Sequence, residues 1–213
     1  MNIALIGGTG FVGSRILGEL LQRGHAVSAL ARHPDKYTAQ AGLRVVKADA
    51  LDDAQITQGV AGHDAIISAF NPGWQEAQIH NLFLQGTAAI VAGARAAGVT
   101  RLLIVGGVGS LFTADGRQLV DDPAFPAEYR DGALASREAL NRLRHEHDLE
   151  WTFLSPPAWL EPGQRSGTYR VGGEQILLNG NDFAGISLED LAVAVVDEIE
   201  RPRHIRRRFT VAH

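Results

Sequence analysis

The opening stretch MNIALIGGTGFVG constrains the fold of this chain more than any other. Ile3 to Ile6 is a short apolar run that leads directly into glycines at positions 7, 8, 10 and 13. Val12, Ile16, Leu17, Leu20 and Leu21 then recur at helical spacing, and Gly24 is placed to end that helix in a left-handed conformation. Strand, glycine turn and helix in that order predict the first βα unit of a Rossmann-type fold. That fold is a doubly wound, mostly parallel α/β sheet with helices on both faces. Gly7, Gly10 and Gly13 stand at GxxGxxG spacing. The first permits a tight turn, the second lets backbone approach a pyrophosphate, and the third lets the helix pack closely on the strand. The phosphates of a dinucleotide would sit on free N–H groups at the positive end of the helix.

At 213 residues with 45% apolar and 21% charged side chains, the chain suits one α/β domain spanning 1–213. A formal net charge of −4 lacks the basic field of a general nucleic-acid binder. With no cysteine, disulfides, thiolate metal sites and cysteine nucleophiles are excluded. No apolar run approaches the ~20 residues that span a bilayer. A soluble, cytoplasmic protein with a small-molecule substrate, no nucleic-acid or membrane partner, and a monomeric or homodimeric state is the expectation. The basic tail from Arg201 to Arg208 reads as a solvated turn before a last strand.

Along the chain, strands are expected at Ala26–Ala31, Leu43–Ala48, Ala65–Ala69, Arg101–Val105, Trp151–Leu154 and Arg208–Val211. Shorter strands are expected around Tyr169–Val171 and Gln175–Leu178. Helices are expected at Asp53–Val60 behind the cap Asp52, Gln75–Ala97, Ala133–His147 and Leu188–Glu200 behind the cap Ser187. The polar stretch Thr113–Asp131 reads as a loop that could close over a substrate, and 156–213 as a small substrate-side cap. The ends of the strands hold the candidate site residues. After strand two comes Arg32-His33 instead of the acid that binds an NAD ribose, which favours the 2′-phosphate of NADP over a plain surface turn. Asp49 can meet an adenine amino group or simply shape its turn. Ser110 follows Gly106-Gly107-Val108-Gly109 and is either a substrate-facing catalytic hydroxyl or a turn residue. Trp74, Phe112 and Trp159 lie in loops on the ligand-binding edge, where they could sandwich a flat ring or serve ordinary packing.

Some chemistry is absent. His145 and His147, read as two apart on a helix, would not share a face, and no third metal ligand is evident. There is no GxSxG elbow. Nor is there a Tyr-x-x-x-Lys pair to remove a hydroxyl proton, for Tyr129 is followed four residues on by Ala133.

The segments GGTGFVGSRI, ARHPDK, ISAFNPGW, VGGVGSLF, LSPPAWLEPGQRSGTYRV and ISLEDLAVAVVDEIE together resemble the atypical short-chain dehydrogenases of the NAD(P)H-binding, NmrA-like type. Among these the chain is similar to NADPH-flavin reductases of the biliverdin reductase B kind, to bacterial NADH-flavin reductases and to NAD-dependent epimerase/dehydratase-like proteins. The resemblance implies a pyrophosphate loop of Gly7, Thr9, Gly10, Phe11, Val12 and Gly13, and a ribose-phosphate site at Arg32 and His33. It implies adenine contacts at Asp49 and Ala50, and a cofactor channel along Ala69, Phe70, Asn71 and Gly106. Pro156 and Pro157 would back the nicotinamide, with Ser110 toward the substrate. Ala158 departs from the histidine that follows the prolines in the biliverdin reductase B kind, so the likeness is weaker on the tetrapyrrole side.

The expected activity is hydride transfer from NAD(P)H, NADPH preferred and no metal required, to a flat conjugated acceptor such as a flavin or quinone. Such acceptors take their proton from solvent, so the missing Tyr/Lys pair is no obstacle. The alternatives are a cofactor sensor without turnover and an epimerase or dehydratase on a sugar-like substrate.

Overall fold

The computed structural model describes residues 1–213. In chain order the elements begin with β1 (Asn2–Ile6), α1 (Gly13–Gln22), β2 (Ala26–Ala31), β3 (Leu43–Lys47), α2 (Asp53–Val60), β4 (Ala65–Ser68) and α3 (Ile79–Ala96). They continue with β5 (Arg101–Val105), α4 (Ala127–Leu143), β6 (Glu150–Ser155), β7 (Trp159–Glu161), β8 (Arg170–Gly172) and β9 (Leu178–Asn179). The last are β10 (Asp182–Phe183), β11 (Gly185–Ser187), α5 (Leu188–Glu200) and β12 (Arg207–Ala212). Eight strands form one sheet in the order β3-β2-β1-β4-β5-β6-β12-β8, parallel except for the edge strand β8. No helix is long and apolar enough to cross a membrane.

Alternation along the strands builds two cores. Ile3 and Leu5 of β1 face α1 and α5, packing with Ile16, Leu20, Leu191 and Val195. Ala4 and Ile6 face the other way, toward Ile56 of α2, Ile90 of α3 and Leu140 of α4. Local capping sets the helix ends: Asp52 accepts from the Gln55 N–H and Ser187 from the Asp190 N–H, both at 3.0 Å.

Several expectations change. Helix α3 starts at Ile79 instead of Gln75, because Asn71 Oδ1 accepts from the Gly73 N–H and Gly73 takes a φ of 122°, which prolongs the turn. Helix α4 starts at Ala127, directly after Pro126, and ends at Leu143. His145 and His147 therefore lie in the turn beyond it, and no group of three or more His, Asp or Glu is arranged to hold a metal. The stretch expected as a lid is tied down: Arg130 donates to the carbonyls of Val120, Asp122 and Phe125, and Leu119 joins a small core with Leu111 and Ile176. The basic tail is not simply solvated. Arg206 donates to the carbonyls of Leu149 and His147, and Arg208 is buried. Residues 156–213 also divide. Helix α5 and β12 belong to the main layers, while the short pairs β7/β11 and β9/β10 lie outside the eight-stranded sheet.

The segment joining β7 to β8 is fastened by acids on helices. Arg165 makes a two-pronged ion pair with Glu19, which is 4% exposed, and Asp190 accepts from Ser166, Gly167 and His213. The Arg165 hydrogen bond, opposed by burial and helped by Arg23, holds the Glu19 carboxyl below its usual range. Burial alone would raise Asp190, but its hydrogen bonds outweigh that and hold it low.

Loss of the hydroxyl cap in Ser187→Ala should cost about 1–2 kcal/mol. The thermal midpoint should then fall by about 2–8 °C; an unchanged midpoint would remove the cap from the account. Because Glu19 and Asp190 are depressed in the folded state, their stabilisation is complete above the ordinary carboxylate range near pH ~4 and drains away as pH falls through their folded values. Urea midpoints measured from pH 7 downward should drop below that range, and less steeply in Glu19→Gln with Asp190→Asn; parallel curves for variant and parent would contradict this.

Candidate nucleotide and acceptor site

The strand order reverses between β1 and β4, so the loops leaving their carboxyl ends diverge and open a crevice, the usual ligand position in an open α/β sheet. Gly7 has a φ of 82°, and a Cβ on it would stand 2.5 Å from the Ala69 carbonyl oxygen. A Cβ on Gly13 would stand 2.1 Å from the Gly7 carbonyl oxygen. Only glycine permits both approaches. The turn is closed by the Gly10 N–H, which donates to the Gly7 carbonyl at 3.0 Å. The N–H groups of Gly8, Thr9, Phe11, Val12 and Gly13 donate to no acceptor in the chain, and Thr9, Gly10 and Phe11 are exposed. Unpaired amides at the start of a ten-residue helix make a cradle for an anion, and the residues present fit a pyrophosphate.

Around this cradle, Arg32 and His33 are exposed at the end of β2, with no side-chain partner in the chain. Tyr37, which the sequence reading did not single out, lies against the loop: its phenol oxygen is buried without a partner, 2.7 Å from where a Gly8 Cβ would be. Burial pushes that phenol up. Its only signal in sequence was proximity to Arg32, which carries no direction.

Asp49 shapes its turn, with Oδ1 accepting from the Leu51 N–H at 3.0 Å. Ala50 is buried in the α2/α3 core. Ala69 is the close neighbour of Gly7, whereas the Phe70 ring turns inward, stacking on Phe83 at 6.4 Å over Gly86. Asn71 spends its carbonyl oxygen on the Gly73 amide. Of these three residues, Asn71 alone is exposed. Gly106 is required by Phe153, whose ring would lie 2.0 Å from a Cβ there. Pro156 is half-buried and Pro157 buried after β6.

Ser110 needs a correction. It is 1% exposed, and its hydroxyl and carbonyl oxygens both accept from Arg208 Nη1 at 2.8 Å. Arg208 also pairs with the Glu174 carboxylate, and its side chain is wholly buried. Burial lowers the Arg208 guanidinium, and Glu174 opposes that shift. Ser110 is thus a fixture that holds the β5 loop, with a hydroxyl already engaged. The three rings expected to sandwich a ligand do not assemble either. Phe112 pairs through its backbone with Glu174 and Ile176, and Trp159 stands 65% exposed on β7. Trp74 instead meets Tyr129 of α4 edge to face, with ring centres 5.2 Å apart.

A family model for NAD(P)H-binding proteins matches residues 7–202. The chain belongs to this NAD(P)H-binding family. The nicotinamide cofactor goes with that membership, and the relatives accord with the atypical short-chain dehydrogenase/reductase, NmrA-like type. Its relatives include the uncharacterized protein YwnB of Bacillus subtilis, 36% identical over 99% of this chain and 98% of its own length. A candidate epimerase from Bacteroides thetaiotaomicron superposes with a TM-score of 0.93 at 41% identity, covering 100% of this chain and 96% of the other. A candidate NADH-flavin reductase from Streptococcus pneumoniae gives 0.84 at 31% identity, covering 100% and 99%.

Gly13→Ala forces a methyl against the Gly7 carbonyl. NADPH affinity, measured by calorimetry, should fall by about tenfold or more, in line with the ~1–3 kcal/mol cost of overpacking a fixed backbone contact. Unchanged affinity would place the pyrophosphate elsewhere.

Proposed function

We propose that this family member is an NADPH-dependent reductase of flat, conjugated acceptors such as flavins or quinones. The observation that carries the reading is the cradle of free amides at the strand reversal, on an edge where the Ser110 hydroxyl is already bonded to Arg208 and no lysine follows Tyr129 at the fourth position. Arg32 and His33, unpaired and exposed one strand away, suit a ribose phosphate, which supports NADPH over NADH. The bound nicotinamide supplies a hydride to an electron-poor ring, and the accompanying proton comes from water. The residues then have three tasks. Amides of the glycine loop hold the pyrophosphate, Pro156 and Pro157 form an apolar backing at the end of β6, and the Arg208–Ser110 lock fixes the β5 loop across the acceptor. Orientation, more than acid or base strength, carries the rate. The name of the Streptococcus pneumoniae relative accords with this reading.

Purified protein mixed with NADPH and FMN, riboflavin or menadione should lose absorbance at the nicotinamide band. Tight NADPH binding with no oxidation across that panel would replace the reductase with a cofactor sensor. Arg32→Glu should weaken NADPH by about ten- to a hundredfold, the worth of one charge-assisted hydrogen bond, and leave NADH nearly unchanged; equal losses for both would refute the ribose-phosphate role.

A further inference from the structure

We infer that Trp74 and Tyr129 together form a ring-binding shelf, one wall of the acceptor subsite. The inference deepens the reductase reading and rests on it. Trp74 is 49% exposed and Tyr129 45%, large apolar rings left half in water although both are held in place. The indole is fixed by a missing side chain: a Cβ on Gly132 would lie 2.7 Å from Trp74 Cζ3 and 2.9 Å from Ile79 Cδ1. Any other residue at Gly132 would push the ring off α4. Tyr129, one turn earlier on the same helix, closes the pair edge to face at an interplanar angle of 86°. The Tyr129 hydroxyl makes no hydrogen bond within the chain. Two aromatic faces and a free donor, all pre-positioned, are what a planar heteroaromatic ring with carbonyl oxygens requires.

Topology puts this shelf at the right edge. Trp74 lies in the loop leaving the carboxyl end of β4, and Tyr129 in the first turn of the helix that follows β5. The helix is also tied to the β5 loop. Ala133, four residues after Tyr129, packs so tightly on Gly109 that a Cβ on Gly109 would be 2.8 Å from the Ala133 methyl. Tyr129 therefore stands one helical turn, about 5.4 Å, beyond the loop assigned above to the acceptor end of the cofactor. Ala133 occupies the position where a Tyr-x-x-x-Lys pair has its lysine, and Arg130, the next residue on α4, spends its guanidinium on the carbonyls of Val120, Asp122 and Phe125. Tyr129 is suited to donate a hydrogen bond to an acceptor oxygen and not to abstract a proton from an alcohol.

The test is equilibrium binding of FMN and of menadione to the NADP⁺-loaded protein, followed by tryptophan fluorescence and calorimetry. At least one of the two should bind. Trp74→Ala should weaken that ligand about tenfold, the scale of a lost aromatic contact plus its buried area, and Trp74→Phe should restore most of the affinity. Tyr129→Phe, which keeps the ring and removes the donor, should weaken it by about three- to tenfold. The NADP⁺ affinity should move less than twofold in all three. Ligand affinity unchanged in Trp74→Ala and Tyr129→Phe, or no binding of either ligand by the parent protein, would overturn the shelf. Shelf-dependent ligand binding by a parent protein that never oxidises NADPH would leave the shelf standing and remove the reductase. NADPH oxidation that keeps its acceptor KM in Trp74→Ala would do the reverse.

Discussion

Everything on the carboxyl edge of the sheet depends on how closely three backbones meet at Gly7. The Ala69 carbonyl presses from one side and the start of α1 from the other, at separations no side chain could share. That convergence turns the loop amides outward, unpaired, at the positive end of α1, and it happens where the strand order reverses. Anion site and ligand crevice thus arise from one steric condition.

The remainder of the edge is held by buried charge. Arg208 reaches from β12 to the Ser110 hydroxyl and carbonyl and to Glu174, so one guanidinium ties the β5 loop to the segment before β9. Glu19 and Asp190 do the same for the segment between β7 and β8, through Arg165, Ser166 and Gly167. Removing one partner from a buried pair leaves an uncompensated charge, so these contacts pin the loops around the crevice to the helices and the strand that carry the charges. A rigid rim suits a reaction governed by how two planar rings are aligned.

Elements with local signals were legible in the sequence. β2, β5, α2 and α5 run between residues whose chemistry marks their ends, such as the caps Asp52 and Ser187. The glycine loop was legible because its spacing answers to backbone sterics alone. The starts of α3 and α4 were not, since helical periodicity does not show that Asn71 accepts from the Gly73 N–H to prolong one turn, or that Arg130 gathers three carbonyls of the preceding loop. Arg208 misled for a related reason: a run of arginines looks solvated until β12 is threaded between β6 and β8 and turns one of them inward. For Ser110 the position in the loop was readable, but what its hydroxyl bonds to was not. The ring partner of Trp74 was hidden in the same way, because nothing within a few residues of Tyr129 points to it.

The central claim is that hydride passes directly from the nicotinamide to a planar acceptor held beside it. Anaerobic single-turnover mixing of the protein with NADPH deuterated at both C4 positions, followed at the acceptor's own absorbance band, tests it most directly. Bleaching of one equivalent of FMN or menadione, slowed severalfold relative to unlabelled NADPH, is the predicted result. No bleaching, or bleaching at a rate indifferent to the label and to the presence of the protein, would contradict the account.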